Sequence, residues 1–149
     1  MSTRVLITGV GGFVGGHLYR ALGEATDWQL ATASRGAAPD GALAHTQLDL
    51  LQASDAQLDA LLANTEICYH VAGMAHHAAL QDPDGAALKA FNVALSERLF
   101  RAAVRCGVSR FVWLSSSKVL GDISAAPLAV QAPYAPVGHY ARSKMHGEL

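Results

Sequence analysis

Tyr140 and Lys144 stand four residues apart in the run His139-Tyr-Ala-Arg-Ser-Lys144 of a 149-residue chain. On a helix this spacing puts a phenol and an ammonium on one face, one turn apart. A cation beside a phenol favours the phenolate and draws its pKa below the ordinary ~10, so Tyr140 becomes a candidate general acid/base near neutral pH. At the other end of the chain, Thr8-Gly-Val-Gly-Gly-Phe-Val-Gly15 spaces Gly9, Gly12 and Gly15 by threes. Glycines so placed permit a tight turn, close backbone approach to a pyrophosphate, and close packing of a helix on a strand. The anion would rest on the free N–H groups of a helix that begins near Phe13 and Val14.

These residues need a scaffold, and the pattern of elements supplies one. Arg4 to Thr8 is a short β-rich run ended by glycines, and Phe13 to Glu24 has helical apolar periodicity. Trp28 to Ser34 reads as a second strand and Arg35 to Gly41 as a turn-rich loop. His45 to Leu48 is a third strand, followed by a short helix from Ser54 to Ala63 with Ser54 as its N-cap. Glu66 to Val71 is a fourth strand, Gly85 to Cys106 a long helix capped by Gly107, and Arg110 to Leu114 a fifth strand. Val119 to Pro136 reads as a loop, and Val137 starts the last helix. Strands alternating with helices, most strands continuously apolar, predict a Rossmann-type doubly wound α/β fold with a parallel sheet. The whole chain reads as one dinucleotide-binding domain, residues 1–149.

The end of the second strand bears on which dinucleotide binds. An acidic residue there would bond the adenosine ribose hydroxyls and select NAD. Ser34-Arg35 stands in that place, and a guanidinium suits a 2′-phosphate through bidentate, charge-assisted bonds. NADP(H) is therefore favoured over NAD(H).

Composition narrows the partners. The chain is 51% hydrophobic and 15% charged with a formal net charge of −1, which gives no electrostatic footprint for nucleic acid or an anionic membrane. No run approaches the ~18 apolar residues that span a bilayer, and no signal-peptide pattern precedes the first strand, so a cytoplasmic protein is expected. Cys68 and Cys106 lack a second Cys or a His at ligand spacing and read as small reduced core residues. His76 and His77 are adjacent and would point apart, so no metal site is expected.

With these motifs in order, the chain resembles the extended short-chain dehydrogenase/reductases, and among them the NAD-dependent epimerase/dehydratase family typified by UDP-glucose 4-epimerase. Thr8 to Gly15 matches the extended form of the cofactor loop, and Asp49-Leu50 the Asp-aliphatic pair that holds adenine. His70-Val71-Ala72-Gly73 matches the segment lying along the cofactor, and Asn92-Val93 the central Asn that buttresses the active site, counted here with the cofactor-binding residues. Leu114-Ser-Ser-Ser-Lys-Val-Leu-Gly121 matches the serine strand end, and Pro136-x-x-x-Tyr140-x-x-Ser-Lys144 the catalytic helix. The family spacing Ser-x-x-x-x-Gly picks Ser116, with Ser115 the alternative and Ser117 behind it.

The resemblance implies hydride transfer at a sugar carbon. Tyr140 would move the hydroxyl proton, Lys144 would lower the Tyr140 pKa and bond the nicotinamide ribose, and Ser116 would orient the substrate oxygen. Ser117-Lys118 stands where the family's dehydratases carry Asp-Glu, which points to an epimerase or a 4-keto-sugar reductase. A non-catalytic dinucleotide-binding regulator and a reductase of a hydroxysteroid or similar ketone are the alternatives. Family members continue past the catalytic helix into a domain that binds the nucleotide-sugar. The chain is expected to be a fragment truncated after that helix and inactive alone. A homodimer through the long and catalytic helices is the assembly the family resemblance implies.

Overall fold

The computed structural model describes residues 2–42, 44–74, 82–122 and 127–149. Its contacts divide the chain into two compact units, Met1–Gly73 with Arg98–Leu114, and Met74–Glu97 with Ser115–Leu149.

The first unit holds a five-stranded parallel sheet in the order β3-β2-β1-β4-β5. The strands are β1 (Arg4–Thr8), β2 (Gln29–Ser34), β3 (Ala44–Gln47), β4 (Ile67–His70) and β5 (Arg110–Trp113). This is a Rossmann-like sheet, as the alternation of elements predicts. β1 is central, and Val5, Leu6 and Ile7 are fully buried. Burying each such side chain contributes about 1.5–3 kcal/mol, so this aliphatic run anchors the unit. β3 lies at the edge and is mostly exposed, in keeping with its polar sequence Ala-His-Thr-Gln.

Helices α1 (Phe13–Ala25) and α2 (Asp55–Leu62) complete the first unit's N-terminal part. α2 opens with a capping box: the Ser54 hydroxyl accepts from the Gln57 N–H while the Gln57 side chain accepts from the Ser54 N–H. The predicted long helix is α3 (Ala86–Lys89), a π-helical turn (Ala90–Ala94) and α4 (Leu95–Arg105) in succession. It ends in a Schellman motif, with Val108 N–H on the Ala103 carbonyl and Gly107 N–H on the Val104 carbonyl.

In the second unit, the predicted loop after β5 opens with a 3₁₀ turn (Ser117–Leu120), and α5 (Gly138–Glu148) carries the Tyr/Lys pair. The π turn is the main departure from the sequence reading, which expects an unbroken helix. Asn92 stands at its centre, 1% exposed and bonded to two other segments of the unit. Such wide turns collect at sites where a side chain must be re-aimed.

Candidate functional site

The glycine loop occupies the carboxyl ends of three neighbouring strands. Gly9 follows β1, its N–H donates to the Ala33 carbonyl of β2 (3.0 Å), and its backbone lies against Val71-Ala72 after β4. A Cβ on Gly9 would stand 2.5 Å from the Ala72 nitrogen, and its φ of +74° already disfavours a side chain. A Cβ on Gly15 would collide with the Gly9 carbonyl oxygen, so the start of α1 sits on the loop at a distance only glycine allows. Gly12 caps α1 without a side chain, its own N–H turned back to the Gly9 carbonyl (3.0 Å).

The amides that follow are open. Gly16 is the first residue of α1 to find a carbonyl, that of Gly12, so the N–H groups of Phe13, Val14 and Gly15 have no partner among the described residues. Three unpartnered amides at a glycine-capped helix N-terminus are a place where an anion can rest. Phe13 and Val14 are exposed beside it.

Thr8 ties this end of the sheet together. Its hydroxyl accepts from the Ala72 N–H (3.3 Å) and meets Nδ1 of buried His70 at 2.7 Å. Asp49 forms a tight turn, one carboxylate oxygen accepting from the Leu51 N–H (3.0 Å), and Leu50 beside it is buried. The Ser34 hydroxyl donates to the Gly36 carbonyl (3.3 Å), while the exposed Arg35 guanidinium has no partner among the described residues. The first unit therefore gathers Gly9, Gly12, Phe13, Val14, Gly15, Val71 and Ala72 at one end of the sheet. Ser34, Arg35, Asp49, Leu50 and Gly73 belong to the same unit.

The second unit gathers the acid/base residues. The buried face of α5 comprises Ala141, Ser143 and Lys144; Tyr140 is half-buried, one turn before Lys144. Lys144 is 6% exposed, and loss of hydration draws its ammonium down from 10.5 to about 8. The amine still carries its charge at neutral pH.

Asn92 holds α5 in place. Its Oδ1 accepts from the Met74 N–H (2.8 Å), and its Nδ2 donates to the Met74 carbonyl (3.1 Å) and to Ser143 Oγ (3.0 Å). Ser143 in turn donates to the Tyr140 carbonyl (2.8 Å). With all three bonds internal and 1% of its surface exposed, Asn92 acts as a clamp on neighbouring backbone.

The three serines are not equivalent. Ser115 donates its proton to the Glu148 carboxylate, whose other oxygen accepts from the Tyr134 phenol at 2.5 Å. Ser116 caps the 3₁₀ turn by accepting from the Lys118 N–H (3.3 Å), which fixes its oxygen and leaves its proton to offer. Ser117 is exposed. Glu148 and Tyr134 escape the sequence reading because Glu148 lies 33 residues from Ser115 and 14 residues from Tyr134. The hydrogen bond to Glu148 holds the Tyr134 phenol above its ordinary pKa of 10.0.

Other chemistry finds little footing. Burial pushes the Cys68 thiol up to about 12, so it is a poor nucleophile. Among the described residues no cluster of three His, Cys, Asp or Glu side chains is placed to hold a metal; His76 and His77 lie outside them. No helix among the described residues is long and apolar enough to cross a membrane.

The family model for the NAD dependent epimerase/dehydratase family matches residues 5–149. The chain belongs to that family. It is 31% identical to a UDP-glucose 4-epimerase of Vibrio cholerae over 154 aligned positions, covering 99% of this chain and 46% of that one. It is 34% identical to a 3 beta-hydroxysteroid dehydrogenase/isomerase of Mycobacterium tuberculosis over 123 positions, covering 78% of this chain and 32% of that one. Among solved structures, MoeE5 in complex with UDP-glucose and NAD superposes with a TM-score of 0.83 at 28% identity, covering 97% of this chain and 46% of that one. The UDP-Glc/GlcNAc 4-epimerase of Campylobacter jejuni gives 0.85 at 20% identity, covering 99% and 47%, a likeness of fold. The chain spans less than half the length of the UDP-glucose 4-epimerases it matches.

Proposed function

We propose that this chain is the dinucleotide-binding portion, with the acid/base residues, of an NAD(P)-dependent nucleotide-sugar epimerase or 4-keto-sugar reductase. The observation that carries the reading is the α5 face: half-buried Tyr140 one turn before a buried Lys144 whose pKa is drawn down to about 8. A buried cation one turn from a phenol has a chemical use and a stability cost, which is the pattern of a functional site.

The three unpartnered amides of Phe13, Val14 and Gly15, over glycines that admit no Cβ, fit the pyrophosphate of a dinucleotide. Asp49 and Leu50 would hold the adenine, Val71, Ala72 and Gly73 would line the cofactor, and Ser34 with Arg35 would receive the adenosine ribose. The unpartnered Arg35 guanidinium favours NADP(H), although MoeE5 was solved with NAD. When bound, the nicotinamide supplies the acceptor and donor of hydride.

The chain's own residues handle the proton and the geometry. Tyr140 takes the proton from a sugar hydroxyl on oxidation and returns it on reduction. Lys144 stabilises the phenolate through its charge and would donate to the nicotinamide ribose of a bound dinucleotide. Ser116, with its oxygen held by Lys118 N–H, donates its proton to the substrate oxygen. Asn92 and Ser143 keep α5 in register, so Asn92 serves as a positioning residue.

The 34% identity to a hydroxysteroid dehydrogenase/isomerase supports a second reading, a ketone reductase of non-sugar substrates on the same catalytic residues. We further propose that residues 1–149 form the dinucleotide-binding domain and that sugar turnover needs a substrate-binding part which they do not contain.

Calorimetry tests the first step: NADPH and NADH should bind, NADPH more tightly, and absence of binding by both overturns the reading. The chain alone should not turn over UDP-glucose. A chimaera in which the remainder of the Vibrio cholerae relative follows Leu149 should epimerise a UDP-sugar and lose that activity on Tyr140→Phe. Full activity in the Tyr140→Phe chimaera refutes the assignment of Tyr140.

A further inference from the structure

The loop after β2 is suspended from the side chains of the edge strand beside it. Gln47 Nε2 donates to the Arg35 carbonyl (3.0 Å), and His45 Nε2 meets the Gly36 carbonyl at 3.1 Å. A carbonyl only accepts, so His45 carries a proton on Nε2. Its Nδ1 meets the Thr32 hydroxyl at 2.8 Å, a hydroxyl that also donates to the Ala44 carbonyl (3.2 Å), and Thr32 is the residue registered opposite His45 on β2. Thr32 is fully buried and fixes the imidazole from below the loop. Two side chains at positions i and i+2 of β3 thus tie down successive carbonyls, those of Arg35 and Gly36. Ser34 adds a third bond, to the same Gly36 carbonyl. The backbone of an exposed loop residue is held at both its carbonyl and the next, while its guanidinium is left without a partner among the described residues.

That arrangement uses three polar side chains to order a residue whose own side chain has no partner among the described residues. We propose that His45 and Gln47 are specificity-determining residues for the dinucleotide: they hold the Arg35–Gly36 backbone so that the guanidinium is pre-ordered for the 2′-phosphate that distinguishes NADP from NAD. The inference rests on the reading of Arg35 as the 2′-phosphate ligand. Ordering one residue's backbone at binding is a cost that the two β3 side chains have met beforehand. NADH, which lacks the 2′-phosphate, gains nothing from it.

Calorimetry on this chain, with NADPH and NADH as probes, separates the outcomes. Arg35→Ala should remove the preference for NADPH. The shape-preserving pair His45→Phe/Gln47→Met should weaken NADPH about tenfold and leave NADH within about twofold. Circular dichroism and the retained NADH affinity report that the variant is folded. Equal affinity of the unaltered chain for both dinucleotides overturns the Arg35 reading, and this proposal with it. A preference for NADPH that Arg35→Ala removes but the β3 pair leaves intact overturns this proposal alone. Parallel weakening of NADPH and NADH assigns His45 and Gln47 to general support of the strand edge, and also overturns it.

Discussion

Replacing Lys144 by Met should make the protein more stable at neutral pH. The ammonium is 6% exposed, and its pKa falls from 10.5 unfolded to about 8 folded, through loss of hydration. The unfolded chain binds the Lys144 proton more tightly, so stability rises with pH between these two values and is flat below about 8. At pH 7 the folded state carries a penalty of about 3 kcal/mol from this group, and at pH 10 the penalty has shrunk to about 1 kcal/mol. Methionine retains the apolar stem and carries no charge to bury. Urea titrations of both proteins at pH 7 and 10 measure the effect. The unaltered chain should gain about 2 kcal/mol more than Lys144→Met over that interval. Taking the difference between the two proteins cancels the titrating groups that Lys144 does not touch, and Tyr140→Phe in both backgrounds removes the phenol one turn away. Parallel stability curves would refute the claim that Lys144 is held charged in a poorly hydrated place.

Gly15→Ala should cost about 2 kcal/mol or more and abolish dinucleotide binding, because the new methyl would displace the Gly9 carbonyl; thermal melts and calorimetry read the two effects. Asn92→Ala strands the Met74 N–H and carbonyl and should cost about 2–4 kcal/mol in urea, with Asn92→Asp no rescue because a carboxylate cannot donate to the Met74 carbonyl. Glu148→Gln should bring the Tyr134 phenol back toward its ordinary pKa of 10.0 in an absorbance titration taken as the difference from Tyr134→Phe, and an unmoved titration would show that the carboxylate does not hold the phenol.

What the sequence reveals of this molecule divides by range. Ser54 with Gln57 three residues on, and Gly107 after Cys106, are local signals, and the capping box and the Schellman motif follow from them. The parallel sheet is legible because burial on both faces makes strands such as Val5-Leu6-Ile7 continuously apolar. β3 is marked less clearly, for an edge strand of Ala-His-Thr-Gln needs no apolar run, and it begins and ends one residue before the expected span. The π turn is not legible in its own five residues, Ala-Phe-Asn-Val-Ala, since it depends on bonds reaching 18 and 51 residues away. The inequality of Ser115, Ser116 and Ser117 depends in the same way on Glu148, 33 residues beyond Ser115.

The π turn carries a consequence for the order in which the second unit assembles. A π-helical turn is intrinsically poorer than the α-helix that the same residues could form, so it persists only while Asn92 is bonded to Met74 and Ser143. Ser143 lies on α5, and before that helix docks, only the two bonds to Met74 hold residues 90–94 in the wide turn. The turn gains its last tether only when α5 docks. Its amide shifts, or the exchange of its wide-turn hydrogen bonds, would time the arrival of the helix that bears Tyr140 and Lys144.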